Sequence, residues 1–154
     1  MQLMGRWLIG AGLVLAVSAG CRDSTAPRRA GCDASALNAT EATVTFAWAS
    51  SPDTMHVLVR GNPTIRAACA YLAGASRANI PAGQIVRGPG PSDLRLPFHY
   101  IPESVELAEV TIELCDSALL TTTAMVDEYF AGTGNAGAES APYCPWGAKP
   151  VQVR

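Results

Sequence analysis

The sequence contains only two histidines, and none of its five cysteines are spaced as C-x-x-C. Zinc sites are usually built from such residues at close spacing, so we predict no metal and no cofactor. The chain also lacks a G-x-S-x-G segment, a glycine-rich phosphate loop and an EF-hand calcium loop. Its formal net charge is only −2, which argues against the basic surface typical of nucleic-acid-binding proteins. We therefore predict no nucleic-acid partner.

A charge-free apolar run at residues 7–20 follows Arg6 near the start of the chain. It is shorter than the roughly 20 apolar residues that span a bilayer, and it is typical of a secretory signal peptide. The run ends in VSAGC, which resembles a bacterial lipobox, although Ser18 stands where leucine is usual. We predict lipidation of Cys21 and attachment to the membrane through that lipid. The alternative is plain secretion, periplasmic or extracellular, with cleavage after Ala19.

Beyond a signal peptide at residues 1–20, the chain divides into a linker and one domain. Residues 21–40 are rich in Ser, Ala, Pro and Arg, which predicts a lipidated tether, and residues 41–154 have the length of a single domain. An even number of cysteines behind an export signal predicts two disulfides outside the cytoplasm. The four cysteines beyond Cys21 can pair in three ways, and all three remain open at this point: Cys32, Cys69, Cys115 and Cys144.

The hydrophobic pattern predicts an α+β domain. Apolar residues alternate with polar ones at 42–48, 54–60 and 94–100, which predicts strands, and β-branched residues favour a strand over a helix at 105–115. A short strand is also expected near 83–87. We predict a mostly antiparallel sheet of four or five strands, with two helices packed on one face. The strand at 94–100 should turn one side inward, with Leu94, Leu96, Phe98 and Tyr100.

Two helices follow from apolar residues at helical spacing. The first should begin at Asn62 as N-cap, with Pro63 in the first helical position. Its buried stripe includes Cys69, which places that thiol to bond to an element packed over the helix, and Cys32 is the nearest candidate. The second helix should be capped by Asp116 or Ser117 and should be stopped by Gly132 and Gly134.

His99 is the best candidate for a chemical role. It shares the polar side of its predicted strand with Arg95, and Glu109 and Glu113 face the same side if the next strand pairs with it through the IPES turn. A histidine beside a carboxylate can act as a general base. The alternative is structural, with His99 bonding a backbone group and ordering the turn before Pro102.

A binding role has two candidate surfaces. Residues 101–148 contain carboxylates but neither Lys nor Arg, which is typical of a solvated acidic face or of a surface for a cationic partner. Tyr143 and Trp146 flank Cys144 and could form an aromatic contact surface. The alternative for these two aromatics is packing against a disulfide.

Five segments, NPTI, GQIVRGP, FHYIPESV, TIELCD and YCPW, occur in one order across residues 42–151. In that order and spacing they resemble a family of small exported bacterial proteins often labelled "calmodulin-binding protein". The resemblance implies a bridge between Cys115 and Cys144, because TIELCD and YCPW carry the cysteines shared in the family. Cys32 and Cys69 then form a second, added bridge. The resemblance implies no established activity.

We expect an exported, lipid-anchored, non-enzymatic binding module of the bacterial cell envelope, whose ligand is an unknown protein or small molecule. Two alternatives remain. One is an extracellular protease inhibitor that uses the loop at 88–93, which contains Pro89 and Pro91. The other is a small hydrolase centred on His99. The lack of an evident nucleophile favours a protein that is not an enzyme.

Overall fold

The computed structural model describes residues 31–110 and 115–154. The predicted signal peptide, Cys21 and Glu113 lie outside the described residues. Two helices are present in this part of the chain, α1 (Asn62–Leu72) and α2 (Thr123–Gly132). The strands are β1 (Gly31–Cys32), β2 (Glu41–Trp48), β3 (Thr54–Arg60), β4 (Ile80–Arg87), β5 (Phe98–Tyr100), β6 (Glu106–Ala108), β7 (Asp116–Ser117), β8 (Ser140–Pro145) and β9 (Ala148–Val153).

The first sheet has the strand order β1-β9-β2-β3. Strands β2 and β3 form an antiparallel ladder with Val44 opposite Val57, and their alternating apolar residues are buried as the period of two predicts. Strand β9 pairs antiparallel with β2 and parallel with β1. The start of β9 therefore lies beside Trp48, and its end lies beside Cys32.

The second sheet has the order β5-β4-β8-β7, and β6 pairs with β4 off this path. Strand β5 begins directly after Pro97 and lies at an edge, where a residue that cannot donate to a ladder is tolerated. Strands β5 and β6 pair with different halves of β4, at Ile85–Arg87 and at Ile80–Ala82. They do not pair with each other, so the hairpin through the IPES turn, on which the approach of Glu109 and Glu113 to His99 depends, does not form. That turn is a short 3₁₀ helix, Pro102–Ser104.

The α+β class, the mostly antiparallel pairing, the two helices and the two disulfides are confirmed. The strands divide between two sheets, whereas the sequence predicts one. The chain passes from the second sheet to the first through the turn after Pro145, where Gly147 has φ 75°, a conformation that favours glycine. Each helix packs mainly on its own sheet: α1 contacts β9 and β2, while Tyr129 of α2 stacks edge-on against Tyr143 of β8.

Both helices begin differently from the sequence prediction. Gly61 precedes α1 with φ 132°, and the Asn62 side chain donates to the carbonyl oxygens of Leu37 at 2.9 Å and Ala39 at 3.3 Å instead of capping the helix. At α2 the N-cap is Thr122, whose Oγ1 accepts from the backbone N–H of Met125 at 3.2 Å. The predicted caps form β7 instead.

The disulfides join Cys32 to Cys69 and Cys115 to Cys144, with Cα–Cα distances of 5.2 and 5.1 Å. Both predicted pairings are confirmed. Two structural disulfides indicate an oxidising environment outside the cytoplasm. The first bridge holds part of the predicted tether on the fold, because β1 and the buried Ala36 belong to that segment. No helix in the described part of the chain is long and apolar enough to cross a membrane.

Candidate ligand-binding site

An open groove of about 390 Å³ lies where the two sheets meet beside the β8–β9 turn. We call it the tryptophan groove, because Trp48 and Trp146 both line it. Its volume falls within the range of small-molecule sites, roughly 300–1,000 Å³. The remaining lining residues are mostly small or hydroxylated: Ser50, Ser51, Asp53, Ala118, Leu119 and Thr121.

The two tryptophans are held by separate parts of the fold. Trp48 is the last residue of β2, and its Nε1–H donates to the carbonyl oxygen of Trp146 at 3.1 Å. Trp146 lies in the turn between β8 and β9, two residues after the disulfide-bonded Cys144. Its side chain is 49% exposed. The hydrogen bond fixes the Trp48 ring while Trp146 keeps much of its surface open to solvent.

The polar side of the groove comes from the β2–β3 turn. Ser51 Oγ donates to Asp53 Oδ2 at 2.5 Å and accepts from the Asp53 backbone N–H at 3.1 Å. These short-range bonds orient the carboxylate within the turn, as is usual for Ser and Asp in such positions. Asp53 is exposed, so the groove offers one oriented carboxylate to a ligand.

His99 lies in a different environment. Its Nδ1 is 2.9 Å from the carbonyl oxygen of Gly88, and the cavity beside it, which His56 and Asp93 also line, has a volume of only about 10 Å³. That is room for about one water molecule. The arrangement matches the structural alternative, in which His99 bonds a backbone group.

Arg95 belongs to a separate assembly with Ser92 and Asp93, which we call the edge clamp. Its Nε and Nη2 donate to Asp93 Oδ1 and Oδ2 at 2.9 and 2.8 Å, and Nη2 also donates to the carbonyl of Thr54 at 3.0 Å. Asp93 Oδ2 accepts from the backbone N–H of His56 at 3.1 Å. Ser92 Oγ accepts from Leu58 N–H and donates to His56 O.

The edge clamp satisfies the outer backbone groups of β3, which is an edge strand of the first sheet. Edge strands with unpaired backbone groups invite pairing with other chains. Burial alone raises the pKa of the Asp93 carboxyl, but hydrogen bonds from Arg95 and His56, with the Arg95 charge, outweigh it and lower the pKa. Arg95 therefore has a structural partner in Asp93. No local pattern in the sequence indicates the bonds that Asp93 makes.

The other predicted site residues are scattered. Tyr143 is fully buried and donates to the carbonyl of Ala118 at 2.8 Å, so it supports the floor of the groove rather than a contact surface. Glu109 is exposed and lies near Arg77 in a surface hollow, away from His99. Leu94 is 78% exposed, against the inward orientation predicted for it, because the backbone turns at residues 94–95.

Among the predicted contact residues, Trp146 is the one that lines the tryptophan groove. Sequence reasoning misses Trp48 and Asp53, because their local patterns indicate only a strand face and a turn. The two tryptophans are 98 positions apart, and the β2–β9 ladder brings them together. The remaining tryptophan, Trp7, lies in the predicted signal peptide. The small number of tryptophans in the mature chain is therefore the sequence signal that could have indicated a shared site for Trp48 and Trp146.

Two sheets joined by a turn, two disulfides and an open aromatic groove define a disulfide-bonded α+β domain. The family model described as the BP-74 N-terminal domain matches residues 40–154. The chain therefore belongs to the BP-74 N-terminal domain family. No curated protein and no solved structure matches the chain.

Proposed function

We propose that this protein is a non-enzymatic binding module, lipid-anchored at the bacterial cell envelope, whose ligand occupies the tryptophan groove. The observation that carries the proposal is the pair Trp48 and Trp146. They come from distant parts of the chain, line one open cavity of ligand size, and are joined by a hydrogen bond. Large aromatic side chains that remain open to solvent in a concave site are typical of binding sites.

The position of the groove suits an anchored protein. The predicted tether joins the fold at Gly31, which pairs with Gln152 near the end of β9. The groove lies at the other end of β9, where Ala148 pairs with Trp48. At about 3.3 Å per residue, these ends are roughly 15 Å apart. The groove and the start of the fold at Gly31 are therefore separate parts of the surface, so an anchor attached ahead of Gly31 does not have to occupy the groove.

The alternatives have less support. A hydrolase centred on His99 needs room for a substrate, and the cavity beside that residue holds about 10 Å³. A protease inhibitor needs a continuous exposed segment in extended form, whereas in the loop at 88–93 exposed Pro89 and Pro91 alternate with buried Gly90 and Asp93, and residues 91–92 turn. A calmodulin-like partner recognises basic amphipathic helices. Arg66 is the single basic residue of α1, and α2 carries only Asp127 and Glu128 as charged residues.

The binding role is tested by presenting small-molecule fractions of envelope extract to the isotope-labelled protein. We expect an active fraction to shift the indole N–H signals of Trp48 and Trp146, and mass spectrometry then identifies the compound. Trp146→Ala should abolish the response of the Trp48 signal. Leu94→Ala removes another exposed apolar side chain, outside the groove, and should leave the response unchanged. Equal responses in the two variants would contradict the proposal.

Lipid anchoring is tested separately at the processed N-terminus. Mass spectrometry of membrane-extracted protein should find an acylated cysteine at position 21. Cys21→Ser should release the protein from membranes without changing the fold, because Cys21 is not one of the four disulfide cysteines. A mature chain that begins at position 20, after cleavage behind Ala19, would instead establish plain secretion.

A further inference from the structure

The charge that the described residues place in the lining of the tryptophan groove is of negative sign alone. Among the described residues, its lining includes one carboxylate, Asp53, and no Lys, Arg or His. An ammonium group is attracted both by the face of an indole and by a carboxylate, and aromatic sites with nearby acid recognise such cations. Resting on the proposed function, we propose that the groove binds a small organic cation, free in solution, with a quaternary or primary ammonium head and a short apolar or hydroxylated body.

The carboxylate of Asp53 is available to such a ligand. Within residues 31–110 and 115–154, no ion pair reaches Asp53. The pKa of Arg95 is raised chiefly by its hydrogen bonds to Asp93, and the charge of Asp53 makes the smallest contribution to that rise. The Arg95 guanidinium is committed to Asp93 and the Thr54 carbonyl. Asp53 therefore has no ion-pair partner in the described part of the chain.

The aromatic part of the site is also available. The Nε1–H of Trp48 is occupied by the Trp146 carbonyl, so an incoming ligand meets ring carbon rather than a free donor. Trp146 is half exposed at the mouth of the groove. Residues 118–121 and Trp146 belong to the segment between positions 101 and 148 that contains no Lys or Arg. No cation of that segment competes with the ligand.

Other ligand classes fit the lining less well. A phosphate or carboxylate ligand would meet Asp53 without a compensating cation, and like charges at close range repel. A neutral saccharide could stack on indole and bond to hydroxyls, but it gains nothing from the carboxylate as a charge. If the groove binds cations, removal of the positive charge from a ligand should weaken its binding. If the groove binds neutral saccharides, removal of that charge should not weaken binding.

The test compares choline with 3,3-dimethylbutan-1-ol, a neutral compound of nearly the same shape, by titration monitored at the indole N–H signals. We expect choline to bind more tightly by about three- to tenfold, the range for cation–π contact plus a partly exposed charge pair. The preference should weaken as salt rises from about 20 mM to about 500 mM. Equal affinity for the two compounds overturns the inference.

Variants separate the contributions. Asp53→Asn should reduce choline affinity by about two- to threefold, the charge-pair share of the preference, and leave the neutral compound unaffected. Trp146→Leu keeps an apolar side chain but removes the aromatic face, and should likewise abolish most of the preference for choline. Glu139→Gln, a change at an exposed carboxylate outside the groove, is the matched control and should bind choline normally. A preference for choline that is undiminished in Asp53→Asn overturns the inference.

Failure of this inference is distinguishable from failure of the proposed function. If glucose, but not choline, shifts the groove signals, the groove binds ligands and the cation assignment falls. If phosphatidylcholine vesicles shift them and free choline does not, the assignment to a free small cation falls. If an extract fraction acts through Trp146 while both choline and its neutral analogue are inert, the binding role stands and the ammonium inference is rejected.

Discussion

The carboxylate of Asp93 accepts a hydrogen bond from the backbone N–H of His56, at 3.1 Å, across two segments that are 37 residues apart. Asp93 is 6% exposed, and Arg95 supplies its countercharge. The contact attaches the loop after β4 to the outer edge of β3. Because this carboxylate is buried among donors, its removal leaves those donors without an acceptor.

Asp93→Asn should lower the free energy of unfolding by about 1–3 kcal/mol, because the amide replaces a charged acceptor and presents its own N–H groups to donors. Urea denaturation measures the loss. Asp33→Asn changes an exposed residue by the same chemistry and should stay within about 0.5 kcal/mol of the parent. Similar losses in the two variants would show that Asp93 has no special structural role.

Acidification should weaken the fold through His56. Burial lowers the pKa of His56, the Arg95 and Arg154 charges lower it further, and the Asp93 charge opposes them. The unfolded chain then takes up its proton near the ordinary histidine pKa of 6.5, above the pKa of the folded chain, so protonation in this window favours unfolding. The free energy of unfolding should fall as pH drops through 6.5 toward the lowered folded pKa. His56→Gln should remove that slope.

A second acid-sensitive window belongs to Asp93. Its folded pKa lies below the ordinary aspartate value of 3.8, so its contribution is present above about 3.8 and is lost as pH falls through the folded pKa. Urea midpoints measured from about pH 8 to about pH 3 should therefore show both windows in the parent and only the lower one in His56→Gln. A slope near about pH 6 that persists in His56→Gln would contradict the assignment.

Each disulfide should contribute about 4 kcal/mol, since their sequence separations of 37 and 29 residues are similar and loop entropy depends weakly on length. Replacement of either cysteine pair by serine is measured by urea unfolding. The Cys32–Cys69 variant should also release β1, visible as faster amide exchange at Gly31. A loss below about 1 kcal/mol in either variant would mean that the bridge adds no constraint to the unfolded chain.

Gly90→Ala should destabilise the protein by about 1–3 kcal/mol, because a Cβ at position 90 would lie 2.4 Å from the Cβ of His99. Neither atom is the end of a flexible side chain, so the backbone must move. Gly137→Ala is the control, since nothing lies within 4 Å of its added Cβ, and it should be neutral or slightly stabilising. Thermal unfolding of the two variants checks the difference.

The elements that can be predicted from the sequence are those whose pattern is local. The pattern predicts β3 with the observed bounds, and β2 within one residue, because apolar alternation records burial on one face. Strand β9 escapes this reasoning. Its sequence AKPVQV contains Lys149 and Pro150, which interrupt the alternation and argue against a strand inside a sheet. The structure accommodates it with a register shift between Thr45 and Phe46 of β2.

The candidate site is less accessible from sequence than the fold. Trp146 can be identified because it follows Cys144 by two residues, and a large aromatic residue so close to a cysteine indicates that the segment is held against the fold. Its partners Trp48 and Asp53 come from β2 and the following turn, and their approach depends on β9 pairing with β2. The approach of Glu109 to His99 is conditional on pairing between chain neighbours, and that condition is not met, because β5 and β6 each pair with β4.

Strand β9 is an inner strand of the first sheet, flanked by β1 and β2. The backbone N–H of Arg154 donates to Thr43 O, and the N–H of Thr43 donates back to Arg154 O. Loss of β9 would therefore separate β1 from β2 and remove the strand that pairs with Trp48.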